Sequence, residues 1–122
     1  MTKVRYLTTE ISFNTGTDKG TYDTEIEADT DLDFIDGVQL HEIENGGIAS
    51  FNVGIEDKNT TYCSLVHKND YISGVSSPIN ERYKLVMIPI VKGNKIRVKT
   101  NIPVQLASPL RYQIVFRHKS KN

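Results

Sequence analysis

Residues 95–104 read KIRVKTNIPV, and the stretch alternates between polar and apolar side chains. The odd positions carry three cations, Lys95, Arg97 and Lys99. The even positions carry side chains suited to a core, namely Ile96, Val98, Thr100, Ile102 and Val104. Successive side chains of a β-strand point to opposite faces, whereas a helix would scatter both rows around its axis. The stretch therefore predicts a strand with one buried face and one charged face.

The same period of two recurs along the chain, and no long segment has the helical period. Turns rich in Gly, Asn or Asp separate the other alternating segments, which are 4–13, 21–35, 38–43, 48–56, 61–68, 82–91 and 110–119. About eight short strands with short turns predict an all-β fold, a single antiparallel β-sandwich that is jelly-roll-like and spans 1–122. A length of 122 residues is that of one domain.

The period also assigns faces and turns. We expect these residues to be buried: Phe51, Val53, Ile55, Leu85, Met87, Ile96, Val98, Ile114 and Phe116. The Asp36-Gly37 pair predicts a tight hairpin, with a short helix over 30–43 as the alternative. Because Pro89 cannot donate to a ladder, its strand is expected at an edge or a bulge. Residues 69–81 predict a surface loop.

The amino-acid composition indicates the cellular environment of the protein. Charged residues make up 25% and hydrophobic residues 38% of the chain, which is typical of a soluble globular protein. No apolar run approaches the roughly 20 residues of a membrane helix, and residues 1–13 contain no apolar core of a signal peptide. The single cysteine, Cys63, excludes an internal disulfide and is expected to be a buried thiol. We expect synthesis in a reducing cytoplasm and no membrane partner.

The formal net charge of zero conceals two oppositely charged halves. Residues 1–61 hold four bases and thirteen acids, a net charge of −9, and residues 62–122 hold eleven bases and two acids, a net charge of +9. Six of the acids occupy alternate positions in one row, which is Asp23, Glu25, Glu27, Asp29, Asp31 and Asp33.

A calcium loop does not explain this acid row. Counted from Asp29, the sixth residue is Phe34 and the twelfth is Leu40, where an EF-hand requires glycine and glutamate. A row of parallel carboxylates also does not converge on one ion, so we predict no metal site and no cofactor. The cations Lys95, Arg97 and Lys99 are the better partners, and the two rows form a candidate interface. The charges could pair within one molecule or between molecules, and a solvated face is the plain alternative.

The sequence gives little support to the hypotheses of a catalytic site or a nucleic-acid-binding site. His41, His67 and His118 fall on separate predicted strands, where they are expected to be surface or strand-edge residues, and no nucleophile or phosphate-loop motif is present. We therefore predict that the protein is not an enzyme. The basic C-terminal strand interleaves Tyr112 and Phe116 with its cations, but the shared face of these rings favours a core strand over a nucleic-acid site.

As a whole, the chain resembles the auxiliary and decoration proteins of tailed-phage heads, and jelly-roll virion proteins more broadly. The resemblance rests on free-standing short-looped strands over the full length and on no diagnostic motif. It implies a non-enzymatic structural protein of the virion, made in the host cytoplasm, that binds capsid subunits or itself, often as a homo-oligomer. The alternative is a carbohydrate-binding β-sandwich module, for which Tyr71 is the candidate loop aromatic.

Overall fold

A computed structural model describes residues 3–58, 60–71 and 83–121. Within them the chain forms eight strands: β1 Val4–Phe13, β2 Gly20–Ile26, β3 Phe34–Asn45, β4 Asn52–Glu56, β5 Thr61–His67, β6 Lys84–Pro89, β7 Ile96–Ile102 and β8 Leu110–Lys119. A 3₁₀ turn, Lys68–Tyr71, follows β5. The described part of the chain contains no α-helix, and hence no helix that could cross a membrane.

The strands form two four-stranded antiparallel sheets. The first sheet has the order β1-β8-β3-β6 and the second has the order β2-β7-β4-β5. The pairs β1–β8, β2–β7, β3–β6 and β4–β5 result when one long antiparallel hairpin is rolled up on itself, which is jelly-roll topology. The predicted all-β sandwich of about eight strands is confirmed.

The inner faces of the two sheets enclose one apolar core. On β8, Ile114 and Phe116 are fully buried, and β7 and β4 face them across the sandwich with Val98 and Val53. Within the core, Tyr112 donates or accepts a 2.6 Å hydrogen bond with the Thr100 hydroxyl, which satisfies both buried groups. Seven of the nine residues expected in the core are buried.

The two exceptions lie on β6. Leu85 and Met87 are 79% and 63% exposed, and Val86 and Ile88 point inward instead. All four of these side chains are apolar, so the local pattern does not decide which row meets the core. Pairing with β3 decides it, because Ile88 lies opposite the buried Ile35. The assignment of Leu85 and Met87 to the core was wrong, whereas the expected edge position of Pro89 is confirmed.

Two turn predictions also fail. Asp36-Gly37 is not a hairpin but lies inside β3, where the ladder shifts register between Ile35 and Gly37, as in a β-bulge. Residues 27–33 form no strand, so the predicted strand 21–35 is divided into β2 and the start of β3. The helix considered for 30–43 is absent too. Of the predicted loop 69–81, residues 69–71 belong to the 3₁₀ turn and the others lie outside the described residues.

Candidate functional site

The outer face of the second sheet carries paired charges. Lys99 Nζ lies 3.7 Å from Asp23, its direct neighbour on β2, and 3.2 Å from Glu56 on β4. Glu56 also accepts from the Arg97 guanidinium at 3.2 Å. Lys95 lies 3.7 Å from Glu25. All three cations of the predicted base row therefore have a carboxylate partner within the molecule.

The remainder of the acid row leaves this face. Asp29 bonds Arg5 on β1 at 2.8 Å, and the same guanidinium lies 3.8 Å from Asp31. The Asp33 carboxylate accepts from the backbone N–H of Lys121 at 2.7 Å. Glu27 forms no ion pair with any residue in the described ranges. The structure thus brings Asp23 and Glu25 to the base row and does not bring the other four acids there.

The first sheet is ion-paired in the same manner. Arg111 on β8 bridges Glu10 on β1 at 2.8 Å and Glu44 on β3 at 2.7 Å. Near the other end of β8, Asp36 accepts from Arg117 and Lys119, each at 2.7 Å. Burial alone would raise the pKa of Asp36, but these two hydrogen bonds outweigh it and lower the pKa.

Rolled topology explains the charge polarity of the sequence. The basic strand β8 lies between the acidic strand β3 and the neutral strand β1, which supplies Glu10, and the basic strand β7 lies between β2 and β4. Pairing the first strand with the last, and the second with the seventh, interleaves the −9 half with the +9 half. Exposed pairs of this kind contribute at most about 1 kcal/mol each, so they favour correct register more than they stabilise the fold. Whether these rows also contact a partner stays a prediction.

The first sheet also carries an aromatic and aliphatic surface that was not predicted from the sequence. We call it the β6 face: Tyr6, Tyr83, Leu85 and Met87, with Arg117 against the Tyr83 ring. The Tyr6 and Tyr83 rings lie 5.9 Å apart, and the Arg117 guanidinium lies 4.9 Å from the Tyr83 centroid. Tyr6 is 55% exposed. Large exposed apolar side chains beside Tyr and Arg are typical of protein interfaces.

The side chains considered for catalysis are dispersed. His41 and His67 are exposed, but His118, expected at the surface or a strand edge, is fully buried on the internal strand β8. Burial raises the pKa of the Cys63 thiol, which agrees with the expected buried cysteine. Within the described residues no group of three His, Cys, Asp or Glu side chains could hold a metal ion.

Two further candidates are placed by the structure. Tyr71, suggested as a sugar platform, is 1% exposed and donates to the Val53 carbonyl at 3.0 Å, so that assignment was wrong. The rings interleaved with the C-terminal cations, Tyr112 and Phe116, are buried in the core and offer no stacking surface.

Comparison with known proteins adds no relative. No protein family, no curated protein and no solved structure matches the chain.

Proposed function

We propose that the protein is a non-enzymatic structural protein of a virion, an auxiliary or decoration protein that binds other capsid subunits. The observation that carries the proposal is the jelly-roll strand pairing, 1–8, 2–7, 3–6 and 4–5, in a chain of 122 residues. Jelly rolls recur in viral capsid proteins. Because a fold hosts more than one function, the proposal needs a surface suited to the task.

The β6 face is that surface. Leu85 and Met87 project from the terminal strand of the first sheet at 79% and 63% exposure. Tyr, Met and Arg are enriched at the centres of protein interfaces, where lysine and glutamate are depleted. By contrast, the outer face of the second sheet carries charges that are already paired. The β6 face is therefore the better candidate for contact with a capsid subunit.

Fractionation of particles tests the virion assignment. Virions of the virus whose genome encodes the chain are banded on a density gradient, and each fraction is probed with an antibody against the protein. We expect the chain to band with the major capsid protein in a fixed ratio. A chain that stays at the top of the gradient would refute the assignment.

Substitution tests the surface. Met87→Glu should abolish association with particles that lack the protein, because it places a charge in the apolar contact. The stability of the monomer should not change. Val104→Glu is the matched control, since Val104 is 54% exposed but lies outside the β6 face. A glycan array tests the alternative, a carbohydrate-binding module. Sugar binding by the wild type that is unaltered in the Met87→Glu variant would favour that module.

A further inference from the structure

The β4–β5 and β6–β7 turns border a shallow, open cleft beside residues 91–94. It has a volume of about 330 Å³ and is lined by Lys58 from the β4–β5 turn and by Val91, Lys92, Gly93 and Asn94 from the β6–β7 turn. Among the described residues, this lining contains two cations and no carboxylate. Two smaller concavities share Gly93 with it, but each of them includes a glutamate, Glu27 in one and Glu25 in the other.

The two lysines of this cleft differ from most cations of the protein. Most cations are paired with carboxylates, as Arg97, Lys99 and Arg111 are. By contrast, neither Lys58 nor Lys92 forms an ion pair with a residue in ranges 3–58, 60–71 and 83–121. They come from turns that are separate in sequence, so the fold rather than local spacing brings them to one cleft. Two ammonium groups that have no ion-pair partner in those ranges, beside one concavity, attract an anion.

A buried carboxylate holds the two turns together. Asp57 is 8% exposed and accepts from the Thr60 N–H at 2.8 Å, which closes its own turn. It also accepts from the Tyr62 hydroxyl at 2.7 Å and from the Asn94 amide at 3.1 Å, which reaches across from the β6–β7 turn. The turns that present Lys58 and Lys92 are thus tied to each other before any ligand arrives. A site fixed in advance loses less entropy on binding.

The β6–β7 turn exposes its backbone at Gly93. The Asn94 N–H bonds the Val91 carbonyl at 3.0 Å, and Gly93 adopts φ +83°, which places Lys92 and Gly93 at the centre of a tight turn. An added Cβ at Gly93 would meet nothing within 4 Å, so the backbone there is open to an approaching group. Charged side chains together with backbone N–H groups are the donors that bind phosphate and carboxylate oxygens.

We infer that this cleft binds an oxyanion, a phosphate or carboxylate group, held between Lys58 and Lys92 beside the open backbone of Gly93, with Val91 as an apolar wall for the remainder of the ligand. This site shares no residue with the β6 face and does not depend on the proposed function. Lys92 also borders the concavity that holds Glu27, and Lys58 borders the one that holds Glu25.

Amide NMR at constant ionic strength tests the inference on the intact protein. Inorganic phosphate and glucuronate are titrated separately, with glucose as the neutral probe. We expect saturable shifts of the Lys92, Gly93 and Asn94 amides with at least one anion, and the anion that binds identifies the source. Lys58→Ala and Lys92→Ala should each weaken binding by about tenfold, since each removes a charged hydrogen bond.

Lys19→Ala is the matched control, because Lys19 is exposed, unpaired within the described residues and located in the β1–β2 loop. It should leave the affinity unchanged. Absence of any saturable shift, equal weakening by Lys19→Ala, or glucose binding as tight as glucuronate binding would each overturn the assignment. Dispersed amide spectra of all three variants verify that they remain folded.

Discussion

Acid should destabilise the protein through His118, whose two ring nitrogens are both engaged. Nδ1 lies 3.2 Å from the Phe116 carbonyl and must donate to it, and Nε2 lies 3.3 Å from the backbone N of Asp29 and must accept from its N–H. Only the neutral ring with its proton on Nδ1 satisfies both partners. A second proton would oppose the Asp29 N–H and create a charge on a side chain that is 0% exposed.

The surroundings of His118 determine the direction in which its pKa shifts. Burial lowers the pKa of His118, and it outweighs the Phe116 carbonyl and the Asp29 carboxylate, which act to raise it. The strand neighbours opposite the ring are Arg5 on β1, a like charge for an imidazolium, and the apolar Ile35 on β3. Asp31 contacts the same Arg5 from the loop. A protonated ring would therefore find little compensation.

The magnitude follows from proton linkage. Well above pH 6.5, the ordinary pKa of histidine, His118 is neutral in both the folded and the unfolded state, and the full stability is present. As the pH falls below that value, only the unfolded chain binds the proton. The free energy of unfolding should then decrease by up to about 1.4 kcal/mol per pH unit until the lowered folded pKa is reached.

Urea denaturation between pH 5 and pH 8, followed by circular dichroism, measures this slope. His118→Gln is the comparison, since glutamine retains a donor and an acceptor but does not titrate. The variant should be less stable at pH 8 and should lose less stability towards pH 5 than the wild type. His41 and His67 are present in both proteins, so the difference isolates His118. Parallel pH profiles would refute the reasoning.

Three other outcomes are expected. Phe116→Ala should lower the free energy of unfolding by about 3 to 5 kcal/mol, whereas Leu85→Ala, at an exposed position, should change it by less than about 0.5 kcal/mol; equal urea midpoints for the two variants would contradict the face assignment. Glu56→Lys and Arg97→Glu should each cost up to about 1 kcal/mol, and the double reversal should recover part of the loss; additive losses would mean that the 3.2 Å contact contributes nothing. Ellman's reagent should react with the Cys63 thiol far more slowly in the native protein than in urea, because the side chain is 7% exposed and burial raises its pKa; equal rates would show that the thiol is accessible.

Some of the candidate surfaces could be predicted from the sequence and others could not. The complementary rows could be identified because opposite charges at alternate positions suit neighbouring strands, and the contacts of Lys95 and Lys99 with Glu25 and Asp23 agree with that pairing. The role of Glu56 as the partner of Arg97 could not be identified, since it depends on β4 lying next to β7. The β6 face was missed because both rows of that strand are apolar. The lysine cleft was missed because its cations are 34 positions apart in the sequence.

The fold class and most inward faces could be predicted from local sequence patterns. A period of two and the turn residues act over a few positions, so 95–104 and 110–119 could be read as strands with Val98 and Phe116 inward. Three features depend on tertiary contacts: the Asp36-Gly37 pair lies at a register shift inside β3, the strand that carries the acid row ends at Ile26, and His118 is buried. These features depend on which distant strand supplies the neighbour: β8 reaches β1 and β3 across most of the chain, and no local pattern records that choice.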